Sequence, residues 1–129
     1  MHKYIVMNLK IVLAMILVVA GSAGCYYDIV QPVDPNKPPE FVSFSGDLQP
    51  IFDKSCNTSG CHDGAHDPNL LPEESYNALI NGGFVNTALP EKSTIYVVLN
   101  TGSMPPTGKL PPDEIQKVLD WIKLGAPNN

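Results

Sequence analysis

The sequence predicts an all-α domain of three to five short helices. Three observations carry that expectation: apolar residues recur at spacings of three and four, no alternating polar and apolar run reaches useful strand length, and Gly, Pro and Asn separate the helical patterns. The helices are short and their loops long, so the core is thin. Domains of this size often need a staple to hold them, and a buried cofactor would supply one.

Taken in order, the first helix is expected near Ser45, which stands as an N-cap ahead of Leu48, Ile51 and Phe52 on one face, with Pro50 limiting its regularity. A second runs from about Glu73 to Asn81, with Glu73 and Glu74 in its first turn, Tyr76, Leu79 and Ile80 on its inner face, and Gly82 and Gly83 stopping it. A third is expected from Thr94 to Asn100, capped by Ser93, although the β-branched Ile95, Val97 and Val98 suit a strand as well. The last is the clearest. Pro112 occupies a natural first position, Asp113 and Glu114 follow, Ile115, Val118, Leu119 and Ile122 form one stripe, Lys123 closes the last turn and Gly125 ends it.

The N-terminal stretch does not belong to this domain. His2, Lys3 and Lys10 precede the ten-residue apolar run Ile11 to Ala20, and the small residues Gly21 to Gly24 follow, which is the layout of a secretory signal over residues 1–24. A membrane span needs about 20 apolar residues, so a permanent anchor is the weaker reading. Cys25 stands where the small residues resemble a lipobox, whose cysteine becomes a lipid-modified N-terminus, although Ser22 replaces the usual Leu. Cleavage by an ordinary signal peptidase, or a Cys25 that is free or disulfide-bonded, is the alternative. Residues 25–43, with Pro32, Pro35, Pro38 and Pro39 and no hydrophobic period, read as a Pro-rich tether that at roughly 3 Å per residue reaches about 50 Å. Residues 44–129 are then the folded domain.

Without its first 24 residues the chain has six Lys, no Arg and thirteen acids, a net charge of −7. That balance argues against binding nucleic acid or an anionic membrane through the domain surface, and it favours an acidic face that steers towards a basic partner. The same subtraction leaves Cys56 and Cys61, His62 and His66, and a single methionine, Met104.

These residues carry the chemistry. Cys56-Asn57-Thr58-Ser59-Gly60-Cys61-His62 places two thiols four residues apart with a histidine directly after the second. The motif resembles the C-x-x-C-H haem attachment site of c-type cytochromes, in which two thioether bonds fix one porphyrin edge and the adjacent His ligates the iron. The insert is two residues longer, and Ser59 and Gly60 allow it to bulge outward. A haem iron bound by one protein ligand has an open sixth position. Met104, in the loop Ser103-Met104-Pro105-Pro106, is the candidate to close it, and a thioether there raises the potential and leaves no site for oxygen or peroxide. Residues 44–127 are similar to the class I cytochrome c fold, and more closely to short planctomycete-type cytochrome c domains on exported bacterial proteins. The matching pieces are Asp47 to Phe52, Cys56 to His62, Ser75 to Ile80, Ser103 to Pro106, and Trp121-Ile122 with Gly125 to Pro127. That resemblance implies a first helix crossing the last, with Phe52 or Leu48 near Leu119 and Trp121 beside the haem. It also implies a Pro68 carbonyl that receives the second ring N–H of His62, and a Leu70 that covers the porphyrin.

The expected function is therefore a single covalent haem c, with His62 and Met104 as axial ligands, that carries electrons between redox partner proteins at the bacterial envelope. The domain would stand in the periplasm or at the cell surface, held to the membrane by lipid on Cys25, with no small-molecule substrate. It is read as an electron carrier rather than an enzyme, or as a subunit or partner of an oxidoreductase. His66 is a loop histidine with a local hydrogen bond, and Asp63, Asp67, Glu73 and Glu74 are solvated turn and cap residues. The alternative is an envelope lipoprotein without haem, stapled by zinc on Cys56, Cys61, His66 and His62 or by a Cys56–Cys61 disulfide.

Overall fold

Helices form where the spacing of three and four recurs. The structure, a computed structural model that describes residues 32–129, contains four α-helices and no strand among those residues. A π-helical turn, Phe44–Leu48, runs into α1 (Gln49–Ser55); α2 is Ser75–Asn81; a 3-10 turn, Pro90–Lys92, leads into α3 (Thr94–Thr101); and α4 is Pro112–Lys123. The expected signal sequence over residues 1–24, Cys25 and the first residues of the expected tether lie outside the described residues. No helix among the described residues is long and apolar enough to cross a membrane.

The core is organised by α4. Its stripe Ile115, Val118, Leu119 and Ile122 is fully buried, together with Trp121, and the helix packs against α3 and the π-helical turn. The first and last helical elements thus meet as expected, but the aromatic at that contact is Phe44. Its ring centroid is 5.2 Å from Trp121, 5.3 Å from Tyr76 and 6.1 Å from Phe52. Trp121 belongs to this aromatic cluster, and its indole N–H donates to the Pro127 carbonyl at 2.9 Å.

Several local expectations are corrected. Ser43, not Ser45, caps the first element: its hydroxyl accepts from Gly46 N–H at 3.1 Å, while Ser45 donates to the Asn129 carbonyl at 2.8 Å. α2 begins at Ser75, so Glu73 and Glu74 precede it, and Ile80 is exposed because Leu79 takes the fully buried position on a helix of seven residues. Ser93 stands at the start of α3, but its hydroxyl accepts from Asn86 N–H at 2.9 Å and donates to the Asn86 carbonyl at 3.3 Å instead of capping the helix. The β-branched run is helical because Ile95 and Leu99, four apart, bury one face, together with Tyr96.

Residues 33–42, expected within the tether, pack on the domain instead. Val42 is buried and Val33 packs on the core. Asp34 N–H donates to the Gln116 side chain at 3.1 Å, Glu40 N–H to the Asp120 carboxylate at 3.2 Å, and Lys123 to the Pro35 carbonyl. Residues 33–42 therefore form a strap along α4, held by its polar groups rather than by an apolar period. Asp120, 2 % exposed, also accepts from the Gln116 amide at 2.8 Å. Asp120→Ala leaves the part-buried Glu40 amide without its acceptor. At about 0.5–1.5 kcal/mol, that speeds hydrogen exchange of the Glu40 amide roughly twofold to tenfold, measured by NMR.

Candidate functional site

The loop from Cys56 to Leu70 is folded back on itself by its own backbone. Cys56 N–H ends α1 on the Phe52 carbonyl at 2.8 Å, and a turn at Thr58 to Cys61 carries Gly60 at a φ of +79°. The return brings His62 N–H to the Cys56 carbonyl at 3.2 Å. The four residues between the cysteines therefore form a turn whose Gly60 borders the cavity described below, and Cys61-His62 returns to the end of α1. Asp63 braces the turn, accepting from Gly60 N–H at 3.1 Å and Ala65 N–H at 3.3 Å, and the Gly60 bond foremost holds its carboxyl below the ordinary value.

His62 is oriented by the far side of the same loop. Its Nδ1 lies 3.0 Å from the Pro68 carbonyl and 3.2 Å from the His66 carbonyl, and Leu70 N–H donates to the His62 carbonyl at 2.7 Å. Carbonyl oxygens only accept, so Nδ1 carries the proton and the Nε2 lone pair is left free to act as a ligand. The Pro68 contact that the sequence resemblance implied is present. The Asp67–Pro68 and Met104–Pro105 peptide bonds are cis.

Met104 arrives from the other side of the domain. α3 ends on Gly102, which is left-handed at a φ of +75°. Ser103 Oγ and Met104 N–H then both donate to the Val98 carbonyl, at 3.2 and 3.1 Å, tying the Met104 loop to the end of the helix. Met104 is 42 % exposed.

These pieces surround a cavity of about 430 Å³ whose lining includes Cys56, Cys61, His62, Pro68, Leu70 and Met104. His66 and the Pro105-Pro106 pair border it too, while α3 contributes Ile95, Val98 and Leu99, and Phe52, Leu79 and Phe84 complete its apolar wall. Trp121 is not among the lining residues, so its expected place beside the cofactor is corrected: it faces the aromatic cluster instead. The wall supplied by α3 and Phe84 was not read from the sequence. The signal that could have found it is the apolar Ile95, Val98 and Leu99 at helical spacing just ahead of the methionine loop.

The size is within the roughly 300–1,000 Å³ typical of cofactor pockets. The donor set fits a covalent haem c: two thiols, an imidazole with its Nε2 available, a thioether and apolar walls. Cys56 and Cys61 are free thiols, with no disulfide between them. No group of three or more His, Cys, Asp and Glu among the described residues stands close enough to hold a metal ion. Compared with known proteins, the chain has no significant match to any family model, curated protein or solved structure.

Burial pushes the Cys56 thiol up to about 11, and the neighbouring Glu114 carboxylate and Cys61 thiol add to it. A thiol so raised holds its proton through neutral pH, and the stability linked to that proton is lost as pH rises from about 9, the ordinary thiol value, to about 11. At pH 8 its thiolate fraction is roughly a hundredfold below that of an unperturbed cysteine. In the haem-free protein, iodoacetamide therefore alkylates Cys56 about a hundredfold more slowly than it alkylates a model peptide thiol, as peptide mass mapping over time would record.

Proposed function

We propose that this chain is a c-type cytochrome with one covalently attached haem. More particularly, we propose an electron carrier of the bacterial envelope, exported and held to the membrane by lipid on Cys25, that exchanges electrons with redox partner proteins and binds no small-molecule substrate. The observation that carries the reading is convergence. Four residues selected for their chemistry, Cys56, Cys61, His62 and Met104, spread over nearly fifty positions of sequence, line one apolar cavity together with Pro68 and Leu70, which the resemblance implied, and the imidazole among them is held with its ligating nitrogen free.

In this reading Cys56 and Cys61 would hold the haem through thioether bonds, and His62 and Met104 would be its two protein ligands to iron. Haem supplies an iron that accepts and returns one electron without forming or breaking bonds in a substrate. The chain's own contributions are fixed geometry and exclusion of water. Pro68 and His66 carbonyls hold the ring of His62, Leu70 and Leu99 supply apolar cover, and the tied methionine loop closes the remaining position. With both protein ligands in place the iron would keep no site for a substrate, which favours electron transfer over catalysis.

The test is covalent attachment. Full-length protein produced in a host competent in haem attachment retains its haem after denaturation and acid extraction and gives a pyridine haemochrome signal, while the Cys56→Ala/Cys61→Ala variant releases it. A wild-type protein without covalent haem under those conditions rejects the proposal.

A further inference from the structure

Pro68 and Leu70 hold His62, and a single buried side chain holds the Leu70 carbonyl in turn. Gln49, on the first turn of α1, is 7 % exposed and uses every hydrogen-bonding atom of its amide. Its Oε1 accepts from the Ser75 hydroxyl at 2.6 Å, and its Nε2 donates to Asp53 Oδ1 at 2.8 Å and to the Leu70 carbonyl at 3.0 Å. Asn57 supplements it, donating to the same Asp53 oxygen at 2.7 Å and more weakly to the Leu70 carbonyl at 3.3 Å. The requirement for two donors and an acceptor selects an amide here: a carboxylate has no proton to give and an aliphatic side chain has neither function. A fully satisfied buried network of this kind rigidifies whatever it joins. In this case it joins α1, the start of α2 and the end of the loop that orients the imidazole.

We propose that Gln49 is the positioning residue for His62: by fixing the Leu70 carbonyl it sets the backbone that receives the His62 Nδ1 proton, and through that bond it tunes the ligand. The proposal rests on the haem reading for its effect on potential, and on the protein alone for its effect on the loop. Hydrogen bonding at the far nitrogen of a ligating imidazole raises its basicity. Loosening the loop weakens that bond, makes the imidazole a poorer electron donor and raises the midpoint potential.

Two readouts test this in the purified full-length chain. Gln49→Leu removes both donors without introducing charge, and Asn57→Ala removes only the weaker, part-exposed donor. Ser75→Ala leaves both donors of Gln49 in place. The Leu70 amide, bonded to His62, exchanges with solvent at least tenfold faster in Gln49→Leu, and the potential of the haem-loaded protein moves upward. Asn57→Ala moves both in the same direction by less, and decides the matter if Gln49→Leu does not fold. Ser75→Ala lowers the melting temperature but leaves the potential in place. A potential and a Leu70 exchange rate unchanged in Gln49→Leu, or moved equally by Ser75→Ala, would overturn the assignment and leave Gln49 a residue of the core. If the wild-type chain takes up no haem, it is the functional reading that fails, and Leu70 exchange still decides whether Gln49 holds the loop.

Discussion

In the proposed cytochrome, replacing Met104 by Ala is expected to leave the haem attached, to abolish the low-spin spectrum of the reduced state, and to lower the midpoint potential by on the order of 0.1 V, within the roughly 0.8 V span that axial ligands command. Attachment survives because Cys56 and Cys61 are untouched. Stability of the haem-free chain changes by less than about 0.5–1 kcal/mol, because Met104 is 42 % exposed and fills no closed core position. These two results together are specific. A methionine that merely plugged a gap would give the reverse pattern, a loss of stability with the spectrum intact, and that outcome in absorbance and redox titration rejects the ligand assignment. The loop also gives a reason to expect a clean vacancy: Ser103 and Met104 are both tied to the Val98 carbonyl, so the backbone keeps its course when the side chain is shortened.

The parts of this site that could be read from the sequence are those whose chemistry is carried by residue type and spacing. Cys56, Cys61 and His62 lie within seven positions, and the structure brings them to one cavity with Met104, Pro68 and Leu70. The amphipathic stripe of α4 was equally readable, because Ile115, Val118, Leu119 and Ile122 repeat at the period of the helix that buries them. What escaped is held by polar atoms at long range. The strap over residues 33–42 has no apolar period to announce it, since backbone N–H groups bonded to Gln116 and Asp120 fix it. Gln49 likewise presents no pattern, and its partner Leu70 is 21 residues away. Phe44 was missed at the Trp121 contact, where the resemblance implied Phe52 or Leu48, because the first helical element begins earlier than Ser45 suggests: capping at Ser43 puts Phe44 into the core.

Trp121→Ala is expected to have the largest effect on the fold itself. The indole is fully buried against Phe44 at 5.2 Å and Tyr76 at 6.5 Å, and truncating it leaves a cavity that costs about 3–5 kcal/mol. Loss of its N–H bond to the Pro127 carbonyl falls within that cost. A domain of this size has about 5–15 kcal/mol in all, so the haem-free variant sits close to its unfolding transition in water and its urea midpoint drops by more than 1 M, given a slope of about 1–3 kcal/mol per molar. Trp121→Phe keeps a ring in contact with Phe44 and is expected to lose much less. The comparison also bears on the site. Because Trp121 faces the aromatic cluster and does not line the cavity, the fraction of Trp121→Phe that folds and takes up haem should have the wild-type spectrum and potential. A spectral change there comparable to that of Met104→Ala would place the indole in the cofactor's surroundings and would require α4 to turn a different face to the cavity than the one it buries against Phe44.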